Sequence, residues 1–189
     1  HHRDWAAAAQ RFVKLGADSI HSLFLDNYLV CLHNLGNYHE CFALTTKAIA
    51  AKGGFNATLH ELAARCAYNA NDLPSAQQHF ETLVQHGTGK VAEHQKMLAQ
   101  VYLRLDEPDK ALAVLKKAHA RTSKDIDVLI GLSLVSTLKR QHKEAVGYGF
   151  AAVNLAGKNP RAHMAFVKAA LDCPEIKVSD KYRKAFQRS

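Results

Sequence analysis

The residues best suited to catalysis or metal binding in this sequence are its twelve histidines and four cysteines. Metal sites and nucleophile–base pairs place such residues at short, regular spacings, as in HExxH on a helix or in CxxC pairs. Here there is no HExxH, no HxxxH pair on one predicted helix and no CxxC among Cys31, Cys41, Cys66 and Cys173. We therefore expect no metal, no cofactor and no disulfide framework, and we favour a reducing, cytoplasmic location.

The segment His86-Gly87-Thr88-Gly89-Lys90 has the glycines and the lysine of a phosphate-binding loop. It lacks the GxxxxGK[ST] spacing, and it follows a predicted helix where that motif follows a strand. We interpret it as a connection between two helices. The sequence also contains no recognisable paired-carboxylate, Ser/His/Asp or Cys/His constellation, so we predict that the chain is not an enzyme.

The composition of the chain narrows the class of protein to which it can belong. The chain has 189 residues, of which 48% are hydrophobic and 22% charged, which is enough to form a sizeable core. No run of 18 apolar residues occurs, so we expect no membrane-spanning helix. The formal charge of +8 is spread along the predicted outer helices and turns, which makes nucleic acid an unlikely partner. Because the chain begins with His1-His2 and not with an initiator methionine, we expect the gene product to begin upstream, with a signal peptide or a further domain as the candidates for the missing segment.

A repeat of 34 or 35 residues runs through the chain. Its clearest copy is residues 92–125, where two amphipathic helices are separated by Asp106-Glu107-Pro108, and we expect Asp106 or Glu107 to cap the second helix. Small residues recur where each second helix opens, at Cys41, Ala76, Ala111 and Ala145. Small side chains at a helix crossing allow close approach, and each helix pair must stack on the next to bury its apolar surface.

The repeat length and the recurring small residues resemble those of the tetratricopeptide repeat (TPR) family, whose unit is about 34 residues. The resemblance implies an all-α fold, a right-handed α-solenoid of antiparallel helix pairs. Thr45 and Gly149 depart from the pattern at position 24, where the family has a large apolar residue. We predict a single array over residues 1–189, made of a half repeat at 4–21, full repeats at 22–55, 57–90, 92–125 and 126–159, and capping helices at 160–189 that include Ser179–Gln187.

The TPR resemblance also implies a binding face on the first helices, at positions 2, 5, 9, 12 and 13. The second and third repeats present polar side chains there, with Arg65 and Arg104 as expected anchors for a peptide's acidic groups. The fourth presents an apolar row, Ile130, Leu134 and Leu138, which either a partner or the C-terminal helix would cover. The predicted partner-binding residues are Asn27, Arg65, Asn69, Lys96, Gln100, Arg104, Ile130 and Leu134.

We predict a scaffold that binds a peptide or helical segment of a partner protein in its concave groove. The alternative is the regulatory or substrate-presenting part of a larger enzyme whose catalytic domain lies outside this chain. A nucleic-acid binder that uses the basic surface is a third, less favoured interpretation.

Overall fold

The computed structural model describes residues 5–14 and 22–173, and those residues form helices joined by short turns. The all-α fold predicted from the sequence is confirmed. The predicted division into repeats stays a prediction. Residues 4 and 15–21 of the predicted half repeat and the predicted helix Ser179–Gln187 lie outside the described residues. The helices are α1 (Trp5–Lys14), α2 (Ser22–Asn34), α3 (Tyr38–Lys52), α4 (Ala57–Asn69), α5 (Leu73–Gln85), α6 (Val91–Arg104), α7 (Pro108–Arg121), α8 (Ile126–Leu138), α9 (His142–Leu155) and α10 (Pro160–Leu171).

The helices group into two compact units with a boundary between Thr88 and Gly89. Unit 1 contains α1–α5, and each of its helices packs on the next along the chain. Unit 2 contains α6–α10 in the same sequential arrangement, and α8 also contacts both α6 and α10. Alternate helices of unit 2 therefore lie side by side in one layer. Continuity of the array across the boundary stays a prediction.

The turn between the two helices of every full repeat contains one residue in the left-handed backbone conformation. These residues are Gly36, Asn71, Asp106 and Arg140, with φ of +81°, +65°, +59° and +56°. Glycine and asparagine adopt this conformation readily, whereas arginine adopts it at a cost. The regular spacing of the four positions shows that the repeat fixes the backbone of the turn more strictly than it fixes the residue type.

Helix starts are capped in some repeats and not in others. The side chains of Asn56, Asp72 and Asp125 each accept a hydrogen bond from a backbone N–H three residues later, at 3.1–3.2 Å. The capping predicted for α7 is wrong: Glu107 occupies the N-cap position but makes no side-chain cap, and its carboxylate pairs with Lys110 at 2.9 Å. Pro108 at the start of α7 already removes one of the unsatisfied N–H groups.

Each unit has its own apolar core. The core of unit 1 includes Leu29, Leu32 and Leu59, and that of unit 2 includes Leu129, Val146 and Phe166. In the part of the chain that the structure describes, no helix is both long enough and apolar enough to cross a bilayer.

Candidate functional site

Four of the five predicted binding residues of α6 and α8 meet in one pocket of unit 2, which we call the α6–α8 pocket. It encloses about 210 Å³. Lys96 and Gln100 come from α6, and Ile130 and Leu134 come from α8, so residues predicted from the polar third repeat and the apolar fourth repeat share a site. The full lining is Glu93, Lys96, Met97, Ala99, Gln100, Leu103, Leu115, Asp127, Ile130, Gly131, Leu134 and Arg161.

The helix period explains this grouping. Glu93, Lys96, Met97 and Gln100 recur at spacings of three and four on α6, so their side chains share one face of the helix. On α8, Asp127, Ile130 and Leu134 recur in the same way. Because α6 and α8 are neighbours in the layer, the two faces adjoin and the pocket forms between them.

The basic side chains of the α6–α8 pocket are paired within unit 2. Lys96 Nζ lies 2.8 Å from Glu93 Oε2 and 3.1 Å from Asp125 Oδ2. Burial alone would lower the pKa of Lys96, but hydrogen bonds and the charges of these two carboxylates outweigh it and raise the pKa. Arg161 Nη1 pairs with Asp127 Oδ1 at 3.0 Å. A ligand's carboxylate would therefore have to compete with internal partners.

The apolar row of α8 is graded from buried to exposed. Ile130 is 2% exposed, Leu134 is half-buried and Leu138 is 60% exposed. Ile130 and Leu134 belong to the cluster that contains Ala162 and Phe166 of α10. Ile130 thus contributes little surface to a partner, while Leu134 and the half-buried Met97 offer more.

A second pocket, the α2–α4 pocket, lies in unit 1 and encloses about 420 Å³. The predicted anchor Arg65 lines it, but Arg65 Nη2 pairs with Glu61 Oε1 at 3.0 Å. Burial, and then the charge of Arg65, lower the pKa of His33 in the same pocket. The full lining is Asp26, Val30, His33, Asn34, Thr58, Leu59, Glu61, Leu62 and Arg65.

Three predicted residues are not among the lining residues of either pocket. Asn27 is exposed on α2, and Arg104 is exposed at the end of α6. Asn69 Nδ2 lies 3.4 Å from His33 Nε2, so it contacts a side chain of the α2–α4 pocket.

Sequence reasoning assigned no binding role to Met97 and Leu103 of the α6–α8 pocket or to His33 and Thr58 of the α2–α4 pocket. His33 and Thr58 occupy positions 12 and 2 of their repeats, so the family pattern could have identified them. Leu103 is also position 12 of its repeat and could have been identified in the same way, whereas Met97, at position 6, falls outside those positions. Nothing in one sequence separates such residues from ordinary core positions.

A histidine and aromatic cluster in unit 1 was not predicted either. His60 Nδ1 of α4 and His79 Nδ1 of α5 lie 3.0 Å apart, so one ring donates and the other accepts. Phe55 stacks on His86 with ring centroids 3.9 Å apart, and Phe42 meets His79 edge to face at 5.9 Å. Among the described residues, no group of three or more His, Cys, Asp or Glu side chains is arranged to hold a metal ion.

Comparison with known proteins places this arrangement among solved helical repeat structures. MamA superimposes with a TM-score of 0.72 at 16% identity over 88% of this chain and 86% of MamA. YrrB, described as "a TPR protein with an unusual peptide-binding site", gives 0.69 at 17% identity over 99% and 93%. The APC/C hetero-tetramer Cut9-Hcn1 gives 0.66 at 18% identity over 87% of this chain and 35% of that chain. No family model matches the chain, and no curated protein matches it.

Proposed function

We propose that this chain, whose fold is that of the tetratricopeptide repeat proteins as its sequence predicted, is a scaffold that binds a peptide or helical segment of a partner protein. The observation that carries the proposal is the α6–α8 pocket. The sequence predicted two binding residues in each of two repeats, and these four side chains line one cleft: Lys96, Gln100, Ile130 and Leu134. YrrB supports the proposal as a protein of this fold with a peptide-binding site.

The chemistry of the α6–α8 pocket favours an apolar side chain of the partner over an acidic one. Met97, Leu103 and Leu134 form an apolar surface on which such a side chain can be buried. The cations nearby are already neutralised, since Lys96 pairs with Glu93 and Asp125 and Arg161 pairs with Asp127. A small pocket with an apolar floor and a polar rim is typical of sites that take one anchor residue from a peptide.

The rim supplies groups that can fix the backbone of a peptide. Gln100 is exposed at the edge of the α6–α8 pocket and offers both an amide donor and an amide acceptor. An extended peptide has unpaired N–H and C=O groups that need such partners. We propose that Gln100 binds the backbone while Met97 and Leu134 contact the anchor side chain.

Substitution of Met97 tests this function. Peptides selected from a random display library against the full chain should carry an apolar anchor, and their affinity should fall at least tenfold for Met97→Glu. A new carboxylate would be buried with the anchor and would face Glu93 and Asp127 of the same pocket. Titration calorimetry of synthetic peptides measures the change; tenfold corresponds to about 1.4 kcal/mol.

The chain offers a matched control for this experiment. Met164, the second methionine of the chain, is 74% exposed on α10 and does not line the α6–α8 pocket. Met164→Glu makes the same chemical change and should leave the affinity within twofold. Equal losses for the two variants, or no loss for Met97→Glu, would place the peptide site on another surface.

A further inference from the structure

The strongest unexplained feature outside the two pockets is a pair of thiols at the contact between α3 and α4. Cys41 Sγ and Cys66 Sγ lie 2.9 Å apart, and both residues are 0% exposed. A disulfide bond is about 2.05 Å long. The two sulfurs therefore need to approach by less than about 1 Å to form one.

Packing alone does not require sulfur at these positions. In unit 2, Ala111 occupies the position of Cys41 in its repeat and Val135 that of Cys66, on the successive helices α7 and α8. Both are 0% exposed, so an apolar pair fills the equivalent space there. Unit 1 has two thiols at these positions, and unit 2 has none at the equivalent positions.

The surroundings distinguish the two thiols. The Cys66 thiol donates a hydrogen bond to Cys41 Sγ, and this bond lowers the pKa of Cys41. The pKa of Cys66 is raised, first by its hydrogen bond to Cys41 and then by burial. The Cys41 thiol in turn donates to the carbonyl of Leu29 at 3.3 Å. Cys41 is thus the sulfur that more readily becomes the thiolate, which is the nucleophilic form.

We propose that Cys41 and Cys66 are an oxidation site that takes a small hydroperoxide and closes to a reversible intramolecular disulfide. The Cys41 thiolate attacks one peroxide oxygen, the O–O bond breaks, and the departing hydroxide leaves with the thiol proton as water. Cys66 then attacks the sulfenic sulfur of Cys41, the S–O bond breaks, and a second water leaves. Two thiols and one hydrogen peroxide give one disulfide and two waters, and a dithiol reductant reverses the change.

The disulfide would connect successive repeats of unit 1. It would tie α3 to α4 and close the loop that contains the glycine pair Gly53-Gly54, which reduces the freedom of the unfolded chain. Because α4 also carries Glu61 and Arg65 of the α2–α4 pocket, oxidation would fix one wall of that pocket.

Thiol counting tests the proposal on the full chain. Hydrogen peroxide at pH 7.5 should remove two of the four thiols, as measured with Ellman's reagent after denaturation, and dithiothreitol should restore them. Trypsin can cut at Lys14, Lys47, Arg65 and Lys90, which places Cys66 in residues 66–90 and Cys41 together with Cys31 in residues 15–47. Fragmentation of the cross-linked peptide by tandem mass spectrometry should therefore identify Cys41, and not Cys31, as the partner of Cys66. The melting temperature should rise on oxidation and return on reduction.

The double variant Cys41→Ala/Cys66→Val reproduces the Ala111/Val135 pair of unit 2 and should fold, because that pair packs there. It should form no intramolecular disulfide, and its melting temperature should not rise with peroxide. Cys31→Ala/Cys173→Ala should still form the cross-link. Four thiols left in the wild type, a cross-link that includes Cys31 or Cys173, or sulfinic acid without a cross-link would each overturn the proposal.

Discussion

Replacing Gly149 with alanine is expected to destabilise unit 2 by about 1–3 kcal/mol. A Cβ atom at this position would lie 2.8 Å from Phe166 Cα and 2.9 Å from Ser133 Oγ. The first of these atoms belongs to the backbone of α10, so α9 and α10 would have to move apart. Phe166 is 1% exposed at the centre of the unit 2 core, and such a displacement would disturb its packing.

Gly147 on the same helix provides the matched control. A Cβ atom there meets nothing within 4 Å, and the residue is exposed. Gly147→Ala should therefore raise stability by up to about 1 kcal/mol through helix propensity alone. Chemical denaturation of both variants measures the difference. If Gly149→Ala is as stable as Gly147→Ala, the close approach of α9 and α10 is wrong.

Acidification is expected to destabilise unit 1. The pKa values of His33, His60 and His79 are all lowered, first by burial and then by Arg65, His86 and His60 respectively. Asp72 opposes the shift at His79 without reversing it. Because each folded pKa lies below the ordinary value of 6.5, the unfolded chain binds more protons as the pH falls below about 6.5. Stability contributed by the neutral rings is complete above that pH and is lost as the pH falls through the folded pKa values.

The His60–His79 pair should account for much of this loss, because two protonated rings with Nδ1 atoms 3.0 Å apart would repel each other. The double variant His60→Gln/His79→Gln keeps polar groups that can bond to each other but cannot titrate. Its melting temperature should fall less between pH 7.5 and pH 5 than that of the wild type. His39→Gln, an exposed site on α3, should keep the wild-type pH dependence. An unchanged slope in the double variant would contradict this account.

Local features of the fold were predictable because the repeat imposes them. The period predicted helices in pairs, and the capping segment predicted from residue 160 begins where α10 begins. Gly149 departs from the family pattern, and the structure shows the reason: the backbone of Phe166 occupies the space that a large side chain would need. Such a contact joins residues of different helices, so the residue type at one position cannot reveal it.

The site was predictable only in part, for the same reason. Helical spacing placed Lys96 and Gln100 on one face of α6, but not the internal pairing of Lys96 with Asp125. Helical spacing predicted that Ile130 and Leu138 lie in the same apolar row and are available to a partner in the same way. In the structure, Ile130 is buried in the core with residues of α10, whereas Leu138 is exposed.

Short sequence motifs do not reveal the two close side-chain pairs of unit 1. Cys41 and Cys66 are 25 residues apart, and His60 and His79 are 19 apart. Their partners meet through packing of successive helices, and motif spacings describe only one helix or one loop. The cysteine pair could have been identified by asking which repeat positions face each other on successive helices.

The central claim, that the α6–α8 pocket binds a peptide, is tested most directly by methyl NMR of the two methionines. Met97 lines the pocket, whereas Met164 is 74% exposed outside it, so a ¹³C-methyl-methionine sample reports both surfaces in one spectrum. Met97→Leu and Met164→Leu assign the two signals. On titration with a selected peptide, we predict that the Met97 signal shifts in a saturable manner and that the Met164 signal changes little. A shift confined to Met164, or binding detected by calorimetry that leaves Met97 unchanged, would contradict the account.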